Sequence, residues 1–119
     1  MGDNRRDVIN TFRSLTGHLA QEREALSLSA KGDDIGALQM SRRVVKTRLY
    51  HANTPPYICS VDIGKAHTAL ARILQKIINK LGGANENLQR KYRAEAATNY
   101  YSAWEITRTE EAWDLFVNV

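Results

Sequence analysis

Apart from one segment, the apolar residues of this chain recur at steps of three and four from Val8 to Val117. That is the spacing of helices that each bury one stripe. The exception is residues 52–60, Ala-Asn-Thr-Pro-Pro-Tyr-Ile-Cys-Ser, where two consecutive prolines exclude a helix interior. The sequence contains no strand-like alternation, no Asn-Gly hairpin signal and no internal repeat. This pattern predicts an all-α fold: two helical hairpins joined by a Pro-Pro loop, forming an antiparallel four-helix bundle with a short C-terminal helix. The 119 residues suit a single domain, 1–119, and a hydrophobic share of 43% suffices for its core.

The first stripe runs through Val8, Phe12, Leu15, Leu19, Glu22 and Leu26, with Asp3 or Asp7 available as a cap and Gly32 beyond its end. The second helix follows Asp33 and Asp34, which suit a positive N-terminal dipole. It aligns Ile35, Leu38, Arg42, Val45 and Leu49. Folding the two about residues 31–33 sets Leu26 against Leu38, Leu19 against Val45 and Leu15 against Leu49. The acid of one stripe, Glu22, then faces the base of the other, Arg42, and this internal ion pair is expected to fix the register.

The third helix is expected after Ser60 as N-cap, with Ile63, Ala66, His67, Leu70, Ile73, Leu74, Ile77 and Leu81 on its seam and Gly82-Gly83 at its end. His67 in that seam calls for a hydrogen-bonding partner, and Asn99 on the facing helix is the candidate. Asn85 can cap a fourth helix whose inner face holds Leu88, Tyr92, Ala96, Tyr100, Ala103 and Trp104. Thr107 and Glu110 stand in capping-box spacing, so a short final helix is expected to restart near Thr109. It would bury Ala112, Trp113, Phe116 and Val117.

Charge is distributed unevenly over this scaffold. Residues 1–34 carry −1 and residues 86–119 carry −2, while residues 35–85 carry eight basic side chains against Asp62 alone, hence +7. Like charges crowded together repel, so a stabilising anionic partner is the economical reason for the excess. On the third helix, Lys65, Arg72, Lys76 and Lys80 fall within about 80° of one another, away from the apolar seam. An ordinary solvated face mixes signs for pairing at i,i+4. Arg43 and Lys46 extend the field onto the second helix.

A helical face with cations and no glycine-rich loop contacts a phosphate backbone rather than cradling a nucleotide. The expected function is therefore a non-enzymatic nucleic-acid-binding module, RNA favoured over DNA. Its contacts would be Arg43, Lys46, Lys65, Arg72, Lys76 and Lys80, working in an oligomer or as a nucleoprotein subunit. The alternative is a structural or adaptor protein whose basic belt meets an acidic protein surface or drives self-assembly. No Ser/His/Asp set, paired catalytic carboxylates or Walker-type loop is present. His18 and His51 lack acidic or cysteine neighbours at ligand spacing, and Cys59 is the lone cysteine, so neither a metal nor a cofactor is expected. No apolar run reaches the ~20 residues of a membrane span. The N-terminus lacks a signal-peptide core, so a cytoplasmic protein without membrane attachment is expected.

Arg13 and His18 stand in an Arg-x4-His spacing. The pair resembles one that the all-helical HEPN ribonucleases use across a dimer. The resemblance covers these two positions, with no second supporting signature. It implies, as the enzymatic alternative, RNA cleavage that depends on His18.

Overall fold

The computed structural model describes residues 17–119, and the described residues are all-helical, with no strand. Five helices follow in order: α1 (residues 17–30), α2 (Asp34–Tyr50), α3 (Ser60–Leu81), α4 (Glu86–Thr107) and α5 (Glu110–Val117). The expectations for Val8, Phe12, Arg13, Leu15 and the Asp3 or Asp7 cap lie outside the described residues.

Local chemistry sets the helix ends. Gly32 takes φ 86° between α1 and α2, a conformation that costs glycine nothing sterically. Asp33 caps α2 by accepting from the Gly36 amide at 3.0 Å. Asn85 caps α4 by accepting from Leu88, and Thr109 caps α5 by accepting from Ala112. Thr107 does not take part in a capping box; its hydroxyl donates back to the Ala103 carbonyl at 2.9 Å. Ser60 is not the cap of α3 either. It is the first helical residue, and Cys59 precedes it without a side-chain capping bond.

Helix α3 lies at the centre of the packing, against α2 on one side and α4 on the other, and α5 packs on α4. The direction of each helix follows from who touches whom. Arg48 near the end of α2 reaches the carbonyl of Asp62 at the start of α3, while Asp34 at the start of α2 meets Lys76 and Lys80 near the end of α3. These two helices run in opposite directions. The same holds for α3 and α4, where His67 meets Asn99 and the Ile78 carbonyl accepts from Gln89.

The predicted seam of α3 is the core. Ile63, Ala66, His67, Leu70, Ile73, Leu74 and Ile77 are all buried, with Leu81 packed against them. They meet Ala96 and Tyr100 of α4 and Ala37, Leu38, Val44 and Val45 of α2. Burial of this apolar surface is the main source of stability. His67 and Asn99 pair within it at 2.7 Å. The Asn99 amide nitrogen donates to the Glu95 carbonyl, so its oxygen faces the ring and the His67 Nδ1 donates.

The first hairpin departs from its expected register. Leu19, Leu26, Ile35 and Leu49 are exposed, and the inward row of α2 is Ala37, Leu38, Ser41, Val44, Val45 and Arg48. Both faces are rotated by about one residue position, because small side chains and one long cation face inward where larger apolar ones were expected. Glu22 does not meet Arg42. It accepts from Arg48 at 2.6 Å, and Arg42 makes a two-pronged ion pair with Glu95 of α4 instead, at 2.9 and 2.6 Å.

Residues 51–59 connect α2 to α3, with the Pro55–Pro56 bond cis. Ile58 folds onto the bundle, its amide donating to the His51 carbonyl at 2.9 Å, whereas Tyr57 is exposed.

Candidate binding groove

The outward face of α3, opposite its seam, is the floor of an open groove of about 780 Å³. Val61, Lys65, Thr68, Ala69, Arg72 and Lys76 form this floor. One wall comes from Ala25, Leu26 and Ser29 of α1 with Val44 of α2. The other comes from Thr107 of α4 with Glu111, Ala112 and Leu115 of α5. The groove exists because α1 and α5 flank α3 without covering it. Its lining is mostly apolar and small, interrupted by three cations on the floor and by the carboxylates of Glu22 and Glu111 at its sides, and no aromatic ring is part of it.

The six expected contact residues divide among three places. Lys65, Arg72 and Lys76 share the groove floor. Lys65 and Arg72 have no carboxylate at ion-pairing distance among the described residues. Lys76 is partly committed: its ammonium donates to the Ser29 carbonyl and hydroxyl at 3.0 and 3.2 Å and lies 3.3 Å from Asp34. Lys80 lies outside the groove and holds Asp34 at 2.6 Å. Arg43 and Lys46 are exposed on the face of α2 opposite its buried row, away from α3. They too lack a carboxylate partner among the described residues.

Asp34 therefore serves two ammonium groups as well as the first turn of α2. The Lys80 hydrogen bond, aided by Lys76, holds its carboxyl below the ordinary value of 3.8. Arg42 is shifted the other way, its charge favoured by the hydrogen bonds it donates to Glu95. Arg72 stands beside the hydroxyl of buried Tyr100, which donates to Gln75 at 2.6 Å. Burial raises the Tyr100 pKa, and the Arg72 guanidinium offsets part of that rise. Arg72 and Gln75 also face Glu111 and Asp114 of α5 across a smaller cleft of about 440 Å³.

Sequence reasoning missed Arg48. Its side chain is 1% exposed, and its three donors go to two other helices: His18 Nδ1 at 3.0 Å and Glu22 at 2.6 Å on α1, and the Asp62 carbonyl at 2.7 Å on α3. It ties α1 to the α2–α3 pair and so sets the wall of the groove. The signal that could have found it is its position in the inward row, seven residues after Ser41. His18, half of the Arg-x4-His pair, is buried against Arg48, and Arg13 lies outside the described residues.

Four rings gather on the other side of α5. Trp104 and Trp113 have centroids 5.0 Å apart, and Tyr101 and Phe116 complete the ring of contacts at 5.3 to 5.7 Å. The Arg108 guanidinium lies 4.3 Å from the Trp104 centroid. Of the rings expected on the inner face of α4, Tyr100 is fully buried and Tyr92 and Trp104 are half-buried, while neighbouring Tyr101 is exposed.

No group of three or more His, Cys, Asp or Glu side chains suited to a metal ion occurs among the described residues. No helix among them is long and apolar enough to cross a membrane. Comparison with known proteins finds no matching family model, no matching curated protein and no matching solved structure.

Proposed function

We propose that this chain is a non-enzymatic helical binding module, an adaptor whose α3 groove holds an acidic segment of a partner protein. The observation that carries the reading is the union of two chemistries in one groove: small apolar walls, and Lys65 and Arg72 on the floor without carboxylate partners among the described residues. Apolar walls gain by burying apolar side chains, and two cations that form no direct ion pair among the described residues gain by meeting carboxylates. In this reading the four longer helices act as an antiparallel four-helix scaffold, two hairpins deep, with α5 as one edge of the groove.

The test is fluorescence anisotropy with one labelled peptide in two versions, acidic and with every acid replaced by lysine. The acidic version binds and weakens as salt rises. Equal binding of the two versions, or of neither, contradicts the reading.

A second reading, RNA binding through phosphate contacts, is favoured by Arg43 and Lys46, which are exposed without carboxylate partners among the described residues. It would extend to Lys65, Arg72, Lys76 and Lys80, in an oligomer or a nucleoprotein assembly. Its log affinity would fall with log salt at a slope of about −4 to −5 if some four to six phosphates are engaged. The groove itself supports it less, because single strands bind by stacking on aromatic rings and none lines the groove. Loss of an oligouridylate gel shift on combining Arg43→Glu with Lys46→Glu would support it.

A further inference from the structure

We infer that the occupant of the groove is an amphipathic helix laid along α3, with carboxylates at positions i and i+7 and apolar residues at i+3 and i+4. The inference rests on the adaptor reading and adds the shape and register of the partner. Lys65 and Arg72 are seven residues apart on one face of α3, about 10 Å along its axis. A second helix presents side chains seven residues apart at that same spacing. Between the two cations the floor carries Thr68 and Ala69, small enough for the axes to approach to about 8–10 Å. The apolar side chains at i+3 and i+4 then fall on Ala69, with Leu26 and Leu115 on either wall.

Volume agrees with a half-embedded helix. A cylinder of ten helical residues, about 15 Å long and 10 Å across, occupies about 1,200 Å³. The groove offers about 780 Å³ and is open on its outer side. Leu26 is 64% exposed and Val61 52% exposed, so an occupant would cover apolar surface that now faces solvent. An extended acidic strand would meet the cations but would leave this width unfilled and its own backbone groups without partners beside apolar walls. Lys76 closes one end of the floor, already held by Ser29 and Asp34.

The test uses the full chain and a labelled peptide of about sixteen residues with Glu at i and i+7 and Leu at i+3 and i+4. Three comparison probes are the same peptide with a central proline, an acidic peptide of the same composition in scrambled order, and an oligouridylate of about twelve nucleotides. The patterned peptide binds at least tenfold more tightly than the proline and scrambled versions. Lys65→Glu with Arg72→Glu weakens it about tenfold or more at unchanged helicity. The peptide carrying Lys at i and i+7 recovers binding to that doubly reversed protein. Ala69→Trp, which fills the floor without changing charge, also abolishes binding.

Equal binding of all acidic peptides overturns the helical occupant and leaves the acidic-partner reading standing. Binding of the oligouridylate alone overturns both. A dimer by light scattering that Lys65→Glu with Arg72→Glu dissolves, together with no peptide binding, makes a second copy the occupant and overturns the inference.

Discussion

Arg48 donates from Nη2 to Glu22 Oε2 at 2.6 Å while its own side chain is 1% exposed and that of Glu22 is 36% exposed. The pair joins a buried cation to an anion at the edge of the solvent. Removing the anion leaves the guanidinium buried with only neutral partners, which costs more than losing a surface pair. Arg42 is far more open than Arg48, at 43%, with Glu95 at 26%, so no buried cation depends on that pair and it contributes less. We expect Glu22→Gln to destabilise by about 1–2 kcal/mol and Arg48→Ala by about 3 kcal/mol in urea unfolding. A double-mutant cycle gives coupling between Glu22 and Arg48 and none between Glu22 and Arg42. Coupling of Glu22 to Arg42 instead would return the hairpin to the register expected from its stripes.

Asp34 gives the protein an acid-sensitive clasp. Its folded pKa is lowered, so the native state binds its proton more weakly than the unfolded chain does. The stabilisation is complete above the ordinary value of 3.8 and disappears as pH falls through the lowered one. Asp34→Asn should therefore flatten the acid limb of a melting-temperature profile while leaving two ammonium groups without their shared partner. An acid limb identical to that of the wild type would show that Asp34 does not hold Lys76 and Lys80 in solution.

Tyr100 acts at the opposite end of the pH scale. Burial raises its pKa, with Arg72 opposing, so the folded state retains the phenolic proton to higher pH than the unfolded chain. Its stabilisation is complete below the ordinary value of 10 and is lost as pH rises through the raised one. Tyr100→Phe leaves Gln75 without its 2.6 Å donor and should cost about 1–2 kcal/mol at neutral pH. The same variant should lose part of the wild-type decline in stability above pH 10. An unchanged alkaline limb would contradict this role.

How far the sequence reveals the molecule differs between its halves. The seam of α3 and its His67–Asn99 pair are legible because large apolar side chains there define one stripe and leave a single polar residue needing a partner. The caps at Asp33 and Asn85 are legible because each answers a local demand of the backbone, whereas α5 is capped by Thr109 and not by Thr107, whose hydroxyl turns back to Ala103. The face of α2 is not, because Ala37, Ser41 and Arg48 turn inward while Ile35 and Leu49 stay out. Size and hydropathy favour the wrong row, and only the partners from α1 and α3 make Arg48 acceptable inside. The cationic stripe of α3 is legible as a stripe. That Asp34 engages Lys76 and Lys80, and that α1 and α5 wall the rest into a groove, depends on contacts between distant segments. No local pattern encodes those contacts.

The most direct measurement is an amide chemical-shift map of the full chain as the patterned acidic peptide is added. The groove account predicts that the largest changes fall on Lys65, Ala69 and Arg72, with Leu26 and Leu115 on the two walls, while Arg43 and Lys46 stay unmoved. Changes centred on Arg43 and Lys46, with the α3 floor silent, would contradict it.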